Sequence, residues 1–293
     1  DTMKAPHEFI CDLAEKISMP EVYLNIRKLM ENPYAQIGDY VNIVQTDSML
    51  AIRIIRIANS EFFGFRRKVD DLYGAISLIG VIQLHDLLLS SLCMRTFYNI
   101  PEQILNFNGF WLHGIKCGIA SRSIARQCRL PANNRFFTLG LLLEIGHAVM
   151  FVKAPELTLN ALLESQQQGQ PLDKIERKYF GFDYCQLGSA LMRQWDLPEV
   201  YPHIIENHLY PEQSKTAFRN ETNIVNLAYR FCETPGYLNQ HATQKLSNHQ
   251  QYAVIPENFE AMIAAEVADN ADDVFTMLSP PNSYGMTLVG LGI

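Results

Sequence analysis

Apolar residues return every three or four positions along most of this chain, and the short alternating runs that mark strands are scarce. In HEFICDLAEKI (7–17), Phe9, Ile10, Leu13, Ala14 and Ile17 share one helical face. MPEVYLNIRKLMENP (19–33) carries Pro20 near a helix start and ends before Pro33. TDSMLAIRIIRIANS (46–60) has Thr46 or Asp47 as its N-cap and Asn59-Ser60 as its end. Its arginines, Arg53 and Arg56, are three apart and mark the wet side of a mostly buried helix. The same period predicts helices at 71–79, 81–98, 103–129, 134–153, 155–168, 171–180, 184–195, 198–208 and 221–233. Their connections are short and carry Pro101, Pro131, Pro155, Pro171, Gly181 or Pro198, and Gly80 splits two apolar helices at a tight turn. Medium helices joined by brief loops predict an all-α fold.

Two stretches break the pattern. LYPEQSKTAFRNET (209–222) and the Gln-, Asn- and His-rich 234–257 are expected to be loops. ENFEAMIAAEVADNADDVFTML (257–278) reads as two short helices, and the tail from Ser279 shows no clear element. A net charge of −7 argues against nucleic acid as the main partner, because phosphate binding normally shows as a basic surplus or stripe. The local basic clusters, Arg66-Arg67-Lys68 and Arg122, Arg126, Arg129 and Arg135, fit solvated faces or ion-pair partners. The cysteines, Cys11, Cys93, Cys117, Cys128, Cys185 and Cys232, form no C-x-x-C pair and read as reduced, buried thiols of a cytoplasmic protein. No signal peptide stands out, and the longest apolar runs, near 84–94 and 139–152, are too short and interrupted for a membrane span. The opening Asp1-Thr2-Met3 fits either a piece of a longer protein or a tag remnant.

The chemistry concentrates in GLLLEIGHAVMF (140–151), where Glu144 and His147 interrupt an apolar run. Glu-x-x-His on a helix puts both side chains on one face, as in di-metal bundles, but such bundles need a second pair and two more glutamates. Without these, the expectation is that Glu144 and His147 satisfy each other or nearby backbone, since a buried polar group without a partner is costly. His113 sits near the start of a long helix, and His208 at a helix C-terminus, where the dipole favours a cation. Lys116, three residues from His113, and Arg122 and Arg126 on the same helix are candidate anion contacts. There is no G-x-S-x-G, no phosphate-binding glycine loop and no cysteine beside a histidine in sequence.

Taken in order, several phrases resemble the HDOD domain, a bacterial relative of the HD phosphohydrolases. The first half offers MPEVYLNIRKLMENP, IVQTDSMLAIRIIRIANSEFFGF and YGAISLIGVIQLHDLLLSS. The second offers FWLHGIKCGIASRSIA, FTLGLLLEIGHAVMF, ERKYFGFDYCQLGSALMRQWDLPEVYPHIIENH and IVNLAYRFC. The resemblance spans roughly residues 10–233. It implies a multi-helix HDOD/HD-like bundle: an N-terminal helical half (1–100), an HD-like half (101–233) and a C-terminal extension (234–293). It also implies a metal site by descent, and there the sequence departs. The first ligand histidine matches His113, but the His-Asp doublet falls on Leu143 and Glu144. A further histidine position falls on Tyr184, a His-His pair reads His208-Leu209, and the late aspartate falls on Tyr229. Leucine cannot coordinate, and neutral tyrosine is a poor ligand near pH 7.

These departures predict a site with no catalytic residues, no metal and no cofactor. Together with the resemblance to HDOD domains, they imply a cytoplasmic, non-catalytic signal-transduction module such as a response-regulator output. Its expected partner is another signalling protein or a fused regulatory domain, with no membrane association. The alternatives are a metal-dependent phosphohydrolase with a remodelled site, and a pseudoenzyme holding a nucleotide-like ligand in the old cleft. Phe62, Phe63 and Phe65, beside basic residues, form a candidate partner patch, weighed against a place in the core.

Overall fold

The computed structural model describes residues 5–11, 13, 17–65, 67–98, 100–130, 133–246 and 256–280, and every regular element among them is helical. Arg66 and the 281–293 tail fall outside them. The chain divides into two units, one formed by Asp1–Ser18 and Ile100–Ala271, the other by Met19–Asn99 and Asp272–Ile293. The helices are α1 (Pro6–Cys11), α2 (Glu21–Met30), α3 (Ile37–Val44), α4 (Ser48–Ala58), α5 (Leu72–Ile79), α6 (Val81–Thr96), α7 (Phe107–Gln127), α8 (Asn133–Leu142), α9 (Ile145–Lys153), α10 (Pro155–Gln168), α11 (Leu172–Phe180), α12 (Tyr184–Gln194), α13 (Val200–Asn207), α14 (Arg219–Glu233), α15 (Tyr237–Leu246) and α16 (Phe259–Leu278).

In the unit holding α2 to α6, Asp47 caps α4 by accepting the Leu50 amide at 3.0 Å. Gly80, at φ 78°, makes the turn between α5 and α6 in a conformation that disfavours other residues. Every residue of α6 from Leu84 to Met94 is buried, so its polar groups need internal partners. His85 Nε2 lies 2.7 Å from the Tyr23 hydroxyl, and its Nδ1 lies 3.0 Å from Asp86 Oδ1. Arg53 departs from expectation: it is buried, and only Arg56 stays in solvent. The Arg53 guanidinium donates to Ser91 Oγ at 2.5 Å and to the Ser279 carbonyl at 2.9 Å, so the arginine pins the segment after α16. Phe63 is core, while Phe62 and Phe65 are half-buried, which splits the aromatic patch.

In the other unit, α7 and α8 pack closely. A Cβ at Gly140 would stand 2.5 Å from the Cys117 carbonyl oxygen, so only glycine admits this approach. The expected helix 134–153 is interrupted at Leu143 and Glu144, which places Glu144 at the N-cap of α9. Leu142, Leu143 and Ile145 continue the apolar pattern on both sides of Glu144 and hide the turn. Gly146 lets α9 meet the start of α12, since a Cβ there would lie 1.9 Å from the Tyr184 carbonyl oxygen. Asp183 caps α12 by accepting the Gln186 amide at 2.8 Å.

The region 209–222 contains only two short 3-10 turns before α14. Two other expectations fail. Residues 237–246, expected as loop, form α15, because Leu238, Ala242 and Leu246 recur every four residues and are buried. The two short helices expected over 257–278 are one, α16. Its acidic residues Asp269, Asp272 and Asp273 are exposed, while Val267, Ala271, Val274 and Leu278 carry a continuous buried stripe past them.

Among the described residues, Asn134–Lys153, taken across its break, is long and apolar enough to cross a membrane, but 72% of that window is buried. The α5–α6 pair passes the same test only jointly, with a bend of 107°.

Candidate functional site

The turn at Leu143 and Glu144 aims the Glu144 carboxylate at residues from three helices. On α7, His113 Nε2 lies 3.5 Å from Glu144 Oε2 and 3.4 Å from Glu233 Oε1 of α14. On α9, His147 Nδ1 lies 3.6 Å from Glu144 Oε1. The other nitrogen of that ring, Nε2, lies 2.8 Å from Glu176 Oε1 of α11. The Tyr229 hydroxyl of α14 donates to Glu144 Oε1 at 3.4 Å. Tyr184 stacks on His147 with ring centres 3.9 Å apart, and its amide donates to Glu176 Oε2 at 2.9 Å. Glu144 and His147 therefore meet, as their spacing suggests, but within a larger network.

His147 sits between two carboxylates, one on each ring nitrogen. Burial works against its charge, but Glu176 and Glu144 outweigh that and raise its pKa to about 10. Burial also works against the Glu144 carboxylate, yet the hydrogen bond and charge of His147, with His113 beside it, hold its pKa at about 2. The centre of the site is thus an imidazolium between two carboxylates, a cation supplied by the chain itself.

His208 behaves oppositely. It stands just past the end of α13, where the dipole favours a cation, but it is fully buried, and burial lowers its pKa to about 4. Desolvation exceeds the dipole, so the ring is neutral. Its Nδ1 donates to the Ile205 carbonyl at 2.7 Å, and its Nε2 accepts the Tyr184 hydroxyl at 3.0 Å. Tyr184 and Tyr229, whose hydroxyls are 3.4 Å apart, have pKa values raised by burial and stay protonated.

This donor set does not fit the divalent metal that the HD resemblance implies. Leu143 is buried and apolar. Both nitrogens of His208 are hydrogen-bonded, neutral tyrosine is a poor ligand, and the Glu144 carboxylate is already engaged by His113, His147 and Tyr229. Among the described residues, no group of three or more His, Cys, Asp and Glu side chains is placed to hold a metal ion.

A cleft of about 740 Å³ opens on this network, with Glu144, His147, Tyr184 and Tyr229 along one side and Phe110, Phe151, Leu162 and Leu172 among its apolar lining. Lys174 and Arg230 are its other cations. The candidate anion contacts lie elsewhere: Lys116 is exposed away from this lining, Arg122 is buried, and Arg126 pairs with Glu266 at 2.6 Å. A shared helix does not bring them together: Lys116 stands six and ten positions from Arg122 and Arg126, spacings that the 3.6-residue period turns away from it.

Sequence reasoning missed Glu176 and Glu233. Glu176 lies within DKIERK, whose charges look like a solvated face, and nothing local shows that this glutamate is buried. The thiols also depart in part from expectation. Cys93, Cys117, Cys128 and Cys185 are buried, Cys232 is half-exposed and Cys11 is exposed.

The fold is an all-helical, HD-like bundle. Residues 17–211 match the HDOD domain, and the chain belongs to that family. Its fold is similar to that of an HDOD domain protein of unknown function from Geobacter sulfurreducens, at 16% identity and TM-score 0.70, covering 93% of this chain and 97% of that one. It is also similar to a candidate signal transduction protein from Marinobacter aquaeolei VT8, at 20% identity and TM-score 0.68, covering 92% of this chain and 61% of that one. A candidate phosphohydrolase from Shewanella amazonensis SB2B is similar at 16% identity and TM-score 0.65, covering 94% of this chain and 97% of that one. An uncharacterized protein of Treponema pallidum (strain Nichols) is 24% identical over 226 residues, 74% of this chain. The chain spans 43% of the length of that relative.

Proposed function

We propose that this HDOD domain is a non-catalytic signal-transduction module of the bacterial cytoplasm that acts through contact with another signalling protein or a fused regulatory domain. The observation that carries this reading is the His147 ring held between Glu144 and Glu176, 2.8 Å from the latter, so that the Glu144 carboxylate is already engaged, whereas a hydrolase needs ligands for a divalent ion and an open position for water. A buried leucine at 143 and a doubly engaged His208 support it. Hydrolysis of phosphomonoester and phosphodiester substrates, assayed with added manganese or iron, is the test. The expected result is no turnover above the metal-only blank. Turnover that is lost in both His113→Ala and Glu144→Ala would return the phosphohydrolase reading.

A second reading, a ligand held in the old cleft without turnover, is favoured by the cleft's volume of about 740 Å³, a size common for small-molecule sites. Lys174 and Arg230, not Lys116, Arg122 and Arg126, are the lysine and arginine placed to meet an anionic group there. A nucleotide that raises the melting temperature in wild type and not in Arg230→Ala would support it.

A further inference from the structure

The acidic groups of the cleft are matched by the chain itself, and two of its cations are not. Four carboxylates line it. Glu144 and Glu176 face His147, and Glu233 faces His113 at 3.4 Å. Asp173 accepts the Tyr210 hydroxyl at 2.9 Å and lies 3.5 Å from Arg177. Lys174 of α11 and Arg230 of α14 are left over. Among the described residues, neither has an ion pair or a side-chain hydrogen bond; Arg230 only stands over the Tyr229 ring, 5.9 Å from its centre. Lys174 is exposed and Arg230 half-exposed, so both are open to a ligand. The apolar lining adds a second demand. Phe110, Phe151, Leu162, Leu172 and Leu209 are all half-buried, and all border this one cleft. Covering them with an apolar body is favourable, and the two phenyl rings suit a flat aromatic one.

We infer that the cleft binds a small aromatic carboxylate, its ring system against the apolar lining and its one anionic group met by Arg230 and Lys174. This rests on the second reading, that the cleft holds a ligand without turnover, and it changes the ligand from a nucleotide to an apolar monoanion. Charge decides between them. A phosphate monoester carries about two negative charges at neutral pH, and each further phosphate adds to them beside four carboxylates. A carboxylate carries one and has both unpaired cations to itself. Its two oxygens also match the planar fork of the Arg230 guanidinium. No bond is made or broken, and no metal takes part.

The experiment titrates the full chain, with EDTA present, against three probes up to millimolar concentration and follows its amide resonances by NMR. The probes are naphthylacetate, its neutral amide naphthylacetamide, and adenosine monophosphate. Naphthylacetate should bind about tenfold or more tightly than the amide, the contribution of a charge-assisted hydrogen bond, and more tightly than the nucleotide. Arg230→Gln combined with Lys174→Gln should weaken the acid to the level of the amide and leave the amide unchanged. Neither side chain has a polar partner to lose, so the fold should persist, as the spectrum of the variant shows directly. Equal binding of acid and amide, or an acid affinity unchanged in the double variant, would overturn the inference while leaving a ligand in the cleft. Binding of the nucleotide but not of naphthylacetate would also overturn it and keep the reading it rests on. No shift of any cleft resonance with any of the three probes would overturn both.

Discussion

Replacing His147 by alanine removes the cation between Glu144 and Glu176. The Glu176 side chain is 1% exposed and cannot be solvated in place. At an effective dielectric near 20, a charge pair at 2.8 Å is worth about 6 kcal/mol before desolvation. Taking both ions out of water costs several kcal/mol, and breaking such a pair by removing one partner typically costs about 3–5 kcal/mol. For a unit of this size that loss lowers Tm by about 6–20 °C.

The pH dependence identifies the cause. The raised His147 pKa, about 10 against an ordinary 6.5, gives stability that is complete below 6.5 and is lost as pH rises through about 10. The lowered Glu144 pKa, about 2 against an ordinary 4.5, gives stability that is complete above 4.5 and is lost as pH falls through about 2. The gap between wild type and His147→Ala is therefore widest between pH 4.5 and 6.5 and narrows on both sides. Thermal melts by circular dichroism from about pH 2 to about pH 10, on both sides of that plateau, are the assay. His147→Leu combined with Glu176→Gln, which removes both charges, should recover part of the loss. A gap that stays flat with pH, or falls below about 1 kcal/mol, the level of an exposed ion pair, would refute the buried-cation argument.

Gly146→Ala drives a Cβ into the Tyr184 carbonyl at 1.9 Å, a backbone atom that cannot step aside; urea unfolding should show a loss of about 3 kcal/mol or more. Arg53→Met leaves Ser91 Oγ and the Ser279 carbonyl without their donor, a cost of about 2 kcal/mol. It should also speed amide exchange at the end of α16, and unchanged exchange there would count against Arg53 as the pin. Tyr184→Phe removes the donor to His208 Nε2 and should destabilise by about 1–2 kcal/mol, whereas Tyr34→Phe, at a residue 87% exposed, should be silent.

The helices were legible where apolar residues recur on one face, as in α4, where Leu50, Ile54 and Ile57 are buried. The same signal hid the turn at Leu143 and Glu144, because both neighbouring helices are apolar and the period continues on either side of Glu144. Charge misled in the other direction. Arg53, Glu176 and the acidic run of α16 all read as wet surface or helix breaks. The first two are buried against partners remote in sequence, and the last is only the solvent face of a continuing helix. Glu144 and His147 could be found because polar residues in an apolar run demand partners. Their remote partner, Glu176, could not, since its burial follows from the packing of α11 and not from its neighbours in sequence.

The central claim is that Glu144, His113 and His147 engage one another and their neighbours and do not serve as metal ligands. Its most direct test is the metal content of the full chain by inductively coupled plasma mass spectrometry. The protein is purified without chelators and measured again after loading with manganese or iron. The expected occupancy is near zero in both samples. Near-stoichiometric metal, lost in Glu144→Ala and in His113→Ala, would contradict the claim and restore a working metal site.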